Sequence, residues 1–553
     1  MRKTFIIGLG CTFLLLVGYA VYLSYSKSKE SRLMVMSRGF IAHGQMQEAR
    51  LSLSEVLHID PRNVEATRLM ADLAAGDSRG NELPWRSRVV ELSPGSAKDR
   101  IALAMAAMKA GQLSLASNSL AQVAAVDQKT ADYQNALGVI AIAQHQPLLA
   151  ESSFEAAANL DPNSVVPQLN LAVLRLHSTN QLSVAEARAE LTTLATGSDH
   201  TYHCQALREL IADDYVHGQF NAAFGLSRSL LEETNCQFSD RILQLDILKR
   251  IHGPEFAGAL AATQSESGRD PATINQLAQW EMKNLPPDQS LIWMDRLPAV
   301  IQTNPPIALM AAECRIIRND WPGLDRQLKN QNWGDLEFVR HAMLARAYFG
   351  EQVIDTKTAE WDKARQTAGT GIKNLTVLLD LCTRWSWTVE KTDLLFSILK
   401  YHPDAKWAAP LLVNELAASG RTRALMSFFA QQSEQDPADL QAKNNLAMTA
   451  MLLNATEMRP FDLAREVYQM QSTNISFAST YAFSLYQQKR WADAMKVFAP
   501  FDAKALTDPG IAGYYGIVLE ANGHPRQAKE YLERATHAPR LLPEERSLFA
   551  GTN

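Results

Sequence analysis

The chain has 553 residues, a formal net charge of −5, 46% hydrophobic and 20% charged residues. That apolar content excludes a disordered chain, and the mild negative charge gives no basic face for nucleic acid. The length exceeds what one compact core supports, so the chain is either several domains or an array in which each unit packs only on its neighbours.

The first predicted element is the uncharged run TFIIGLGCTFLLLVGYAVYLSY, Thr4 to Tyr25. As a helix it would span roughly 33 Å, enough to cross a bilayer core. Tyr19, Tyr22 and Tyr25 sit toward one end, as at a membrane interface. The competing reading is a cleaved signal peptide, whose apolar core is about 7–15 residues and therefore shorter than this run. Arg2 and Lys3 precede the segment; Lys27, Lys29 and Arg32 follow it, offset by Glu30. Charge therefore does not fix the orientation. A short basic N-terminus before an apolar run fits a bacterial signal-anchor, with the rest of the chain extracytoplasmic (periplasmic).

The remainder carries a motif that recurs roughly every 34 residues. One copy has Leu137, Gly138 and Ala141, then Ala150, Phe154, Ala157 and Pro162. Another has Tyr515, Gly516, Leu519 and Gly523, then Ala528, Leu532, Ala535 and Pro539. Small residues suit the crossing of two helices, a large apolar residue fills the gap to the next pair, and proline stops the second helix. The copies at 131–164, 475–508 and 509–542 are the clearest; Met36–Pro61, Leu103–Val123, Leu171–Leu194 and Leu210–Leu230 are weaker. Between 266 and 372 the pattern breaks around Pro286–Pro287 and Pro305–Pro306, and most tryptophans lie from Trp280 to Trp407. Either they are wedges between irregular helix pairs, or they line a ligand site. Beyond it the pattern recovers, with Leu395, Ile398 and Pro403, then Leu416, Gly420, Ala424 and Phe428, and a capping helix at Pro543–Phe549.

These residues resemble the tetratricopeptide repeat (TPR) family. The resemblance implies an all-α, right-handed superhelical solenoid of antiparallel helix pairs after one N-terminal transmembrane helix. The organisation expected is 1–3 basic N-terminus, 4–25 anchor, 30–265 first array, 266–372 irregular segment and 373–553 second array. In this family the first helix of each pair lines a concave groove. Carried over, the groove positions are Lys98, Ile101, Met105 and Met108; Asp132, Asn135, Val139 and Ile142; Val166, Leu169, Val173 and Leu176. Toward the C-terminus they are Asn444, Met448 and Met451; Ser479, Phe483 and Tyr486; Ile517 and Glu520. The apolar ones are either superhelix core or a surface for a partner peptide or amphipathic helix. The Lys/Asn/Arg set by which some TPR domains clamp a carboxylate is not found. The family resemblance suggests a role in envelope assembly, secretion or polysaccharide export; a glycan adaptor using the tryptophan-rich segment is the alternative.

No HExxH, P-loop, GxSxG or dinucleotide-binding turn occurs, so no catalytic residue and no cofactor is expected. Asp199, His200, His203 and Cys204 hold plausible metal-ligand types without a known zinc spacing, and are read as solvated loop residues. The five cysteines contain no CxxC; Cys204 and Cys236, one repeat apart, either pair or remain free. Sequons at Asn374, Asn454 and Asn474 are as frequent as chance gives.

Overall fold

The computed structural model describes residues 24–77, 81–197, 200–536, 538 and 541–550, with the side chains at 200 and 201 excepted. The run Thr4–Tyr25 lies almost wholly outside these residues, and so does Pro539. Among the described residues the chain is all-helical, and no helix is long and apolar enough to cross a membrane. It divides into two compact units, Met1–Leu277 and Ala278–Asn553.

Within each unit, consecutive helices pack as antiparallel pairs, and the first helix of a pair also touches the first helix of the next. In the first unit Ala97–Lys109 meets Ala131–Ala143, which meets Val165–Leu176, which meets His200–Val216. In the second, Glu337–Gly350 meets Ile372–Trp385, and Leu440–Leu452 meets Ile475–Gln487, which meets Pro509–Ala521. These inner helices form a continuous row in each series, which is the packing of a TPR-type solenoid.

The local sequence explains both turns of the repeat. Between pairs, an Asp-Pro step starts the turn: Asp60 accepts from the Arg62 N–H, Asp161 from Asn163 and Asp436 from Ala438. The next helix then begins on a capping side chain, Asn63 to the Ala66 N–H at 2.8 Å or Asp439 to the Ala442 N–H at 3.0 Å. Within pairs, the inner helix ends on one left-handed residue. The following N–H then bonds back five residues, as Gln146 does to Ala141, Val353 to Tyr348 and Arg490 to Leu485, each at 2.9 Å.

That left-handed residue carries the period through the backbone. Asn319, Gln352, Ser386, Gly420, Asn454, Lys489 and Gly523 all have positive φ, at intervals of 33, 34, 34, 34, 35 and 34 residues. The segment 266–372, where the residue pattern breaks, thus shares this turn at Asn319 and Gln352. Several tryptophans of this segment and of the stretch just after it pack into the core. Trp293, Trp333, Trp361 and Trp387 are buried, and Trp387 packs edge-on against Trp361 and Trp385 at 5.6 and 5.1 Å.

Small residues sit where helices cross. A Cβ on Gly138 would land on the buried Phe154 ring, and one on Gly516 would lie 2.8 Å from Leu532 Cγ. Polar links one period long bind inner helix to inner helix. Arg68 donates two bonds to Asp99, 31 residues on, at 2.8 and 2.6 Å; Arg208 does the same to Asp240, 32 residues on, at 2.8 Å each.

Candidate functional site

The inner helices of the second unit line a solvent-open cavity of about 720 Å³. Leu440–Leu452 contributes Asn444 and Met448, Ile475–Gln487 contributes Ile475 and Ser479, and Pro509–Ala521 contributes Ile511 and Tyr514. The connection before Pro509, which holds the short helix Ala503–Leu506, adds Asp502, Lys504 and Asp508 at the rim, and the Pro543–Ala550 helix adds Glu545.

Two polar groups in this lining are buried without a hydrogen-bond partner. Asn444 is 5% exposed and its Oδ1 accepts nothing, while its amide nitrogen reaches Asn445 Oδ1 at 3.3 Å. Ser479 is 1% exposed, and its hydroxyl has no partner. An unmet buried acceptor or hydroxyl costs about 1–3 kcal/mol, and two of them belong to the lining of this one cavity.

Beside them, the Tyr514 hydroxyl donates to Glu545 at 2.5 Å, and the Leu542 N–H donates to the other Glu545 oxygen at 2.8 Å. Burial raises the Glu545 carboxyl above the usual range, and these two bonds only partly oppose it. Burial, reinforced by Glu545, holds the Tyr514 phenol well above its ordinary value. At the rim, Asp502 and Asp508 each use one oxygen to cap a helix, at the Ala505 and Gly510 N–H groups.

The Pro543–Ala550 helix both covers the last pair and reaches back along the row. Phe549 packs edge-on against Tyr514 at 5.2 Å, where a side chain at Gly513 would collide with it. Thr422 donates to Glu544, 122 residues away, and a side chain at Gly420 would meet the Pro543 ring at 2.8 Å. Gly420 also has φ +65°, so two independent constraints favour glycine there. The helix thereby brings Glu545 into the cavity lining.

The other expected groove residues are placed as follows. Ile101, Met105 and Met108 are half-buried against the core of their pair, and Ile142 is 43% exposed. Asn135 is half-buried and accepts from Asn170 at 2.9 Å; Val139 and Val173 are half-buried. Leu169, Leu176 and Phe483 are buried, 2, 3 and 1% exposed. Leu169, Ala172 and Leu176 share the i, i+3, i+7 face that packs on Leu207 and Leu210 of the next inner helix. Tyr486 is half-buried and stacks on Phe483 at 6.3 Å. The groove positions thus bring Asn444, Met448 and Ser479 into one cavity, while Asp502, Asp508, Tyr514 and Glu545 were not expected there. Nothing local in the sequence marks them: they come from a loop, an adjacent face and a returning helix.

Cys204 and Cys236 are both free thiols. Asp199 and the His200 side chain lie outside the described residues; His203 approaches Glu233 at 3.6 Å and Cys204 is buried. Among the described residues no group of three or more His, Cys, Asp and Glu could hold a metal ion.

No protein-family profile matches the chain, and no curated protein matches it in sequence. Solved structures do. A tetratricopeptide repeat protein from Parabacteroides merdae is 16% identical over 46% of this chain and 99% of that one, with a TM-score of 0.36. The Cut9–Hcn1 hetero-tetramer of the APC/C is 12% identical over 94% and 96%, with a TM-score of 0.30. PilF of Pseudomonas aeruginosa is 12% identical over 44% and 92%, with a TM-score of 0.25. With overlaps this low, the fold description stands on this chain's own helix pairing: an all-α stack of paired helices of the TPR type.

Proposed function

We propose that the chain is a membrane-tethered, non-enzymatic scaffold that holds a partner polypeptide on its inner helices. The observation that carries this reading is the cavity of the second unit, built by three successive inner helices and left with two buried polar groups unmet. Such a lining suits reversible recognition, with soft Met448 and aliphatic Ile475 and Ile511 for contact and polar groups for register. The tether rests on the uncharged run Thr4–Tyr25, and the extracytoplasmic placement on the signal-anchor pattern at its start. The glycan alternative loses part of its motive, because Trp293, Trp333, Trp361 and Trp387 spend their faces on packing, while Trp407 stays 43% exposed.

The test is recovery of partners after crosslinking the full chain in its own membranes, for the native protein and for Met105→Glu and Met448→Glu. Both side chains are only half-buried, so circular dichroism should show the variants folded. A specific partner lost on one or both substitutions is the expected result. Recovery of nothing specific, or of the same partners from both variants, would overturn the reading.

A further inference from the structure

We propose that the cavity between the inner helices Leu440–Leu452, Ile475–Gln487 and Pro509–Ala521 is a receptor for a cationic side chain, lysine or arginine, presented by the partner polypeptide. This deepens the scaffold reading and rests on it. Three features of the lining point to a cation that also donates hydrogen bonds. Its unmet groups are an acceptor, Asn444 Oδ1, and a hydroxyl, Ser479, which can accept as well. Its rim charges are two carboxylates, Asp502 and Asp508, against one ammonium, Lys504. Its walls are Met448, Ile475 and Ile511, apolar surfaces along which a long aliphatic stem can lie while its head reaches the polar floor.

An anionic ligand meets an orphaned acceptor, an acidic rim, and two donors, the Tyr514 hydroxyl and the Leu542 N–H, that Glu545 already takes. A purely apolar side chain would leave both orphaned groups buried and unmet, at the same cost as in the free chain. The ammonium or guanidinium head satisfies Asn444 and Ser479 and draws on the rim carboxylates, which are exposed and so act mainly in steering.

The experiment uses the full chain and a bead-displayed library of random dodecapeptides as probe. Selected peptides should carry lysine or arginine, and replacing that residue by norleucine or citrulline should weaken binding at least tenfold. Asn444→Leu and Ser479→Ala should each weaken it comparably while leaving the thermal midpoint unchanged or higher. The stability readout separates binding from structure, because removing an unsatisfied buried polar group does not weaken the free fold. Selected peptides without basic enrichment, or insensitive to both substitutions, overturn the proposal; if Met105→Glu abolishes their binding, the scaffold reading survives it. Selection of no peptide also overturns the proposal, and the scaffold reading then stands or falls on partner recovery from membranes.

Discussion

Asp99 shows how single residues hold successive pairs together. Burial alone would raise its carboxyl, but hydrogen bonds from Arg68, Ser93 and Ser96 outweigh it and hold the group at about 2, against an ordinary 3.8. Folding therefore favours the ionised form. The contribution is complete above the unfolded value and is lost as the pH falls through the folded one. Asp99→Asn should cost on the order of 1–2 kcal/mol at neutral pH. The stability difference between native and variant should shrink as the pH drops from about 5 toward 2. Denaturant melts of both proteins across that range check it; a difference independent of pH would refute the ion-pair account. Asp99 was not singled out in the sequence, because its partner Arg68 lies 31 residues away and only the fold makes them neighbours.

At the scale of the element, the turn between paired helices explains what was legible in the sequence and what was not. Where glycine holds the left-handed position, as at Gly44, Gly111, Gly218, Gly420 and Gly523, the repeat could be read directly. Where Asn319, Gln352 or Ser386 holds it, the backbone is the same but the glycine signal is gone, whereas at His145 and Lys489 the rest of the motif still marks the repeat. The segment 266–372 reads as irregular for that reason, and because Pro286–Pro287 and Pro305–Pro306 interrupt the pattern. Non-glycine residues there carry a steric cost that glycine relieves, partly offset by its greater freedom when unfolded. Lys489→Gly, at φ +59°, should raise stability by about 0.5–1 kcal/mol. Gly523→Ala, at φ +83°, should lower it by about 1 kcal/mol. Unfolding midpoints of the two variants decide the matter; equal shifts in one direction would contradict the turn assignment.

For the molecule as a whole, each unit builds a row of inner helices, and only part of that row was assignable to binding from sequence. Periodicity identifies which residues lie on inner helices. It does not separate the face that meets the next pair, where Leu169, Leu176 and Phe483 are buried, from the face that opens on the cavity, where Asn444, Met448 and Ser479 lie. Nor does it show the Pro543–Ala550 helix returning to Thr422, a contact set by tertiary packing alone. On the proposed function, partners engage the inner row of the second unit. The most direct measurement places a photo-crosslinking amino acid at Met448, in the cavity, or at Met470, which is 69% exposed on an outer helix. Light-dependent adducts to a partner polypeptide should form from position 448 and be weak or missing from 470. Adducts from 470 alone, or equal adducts from both, would contradict the claim.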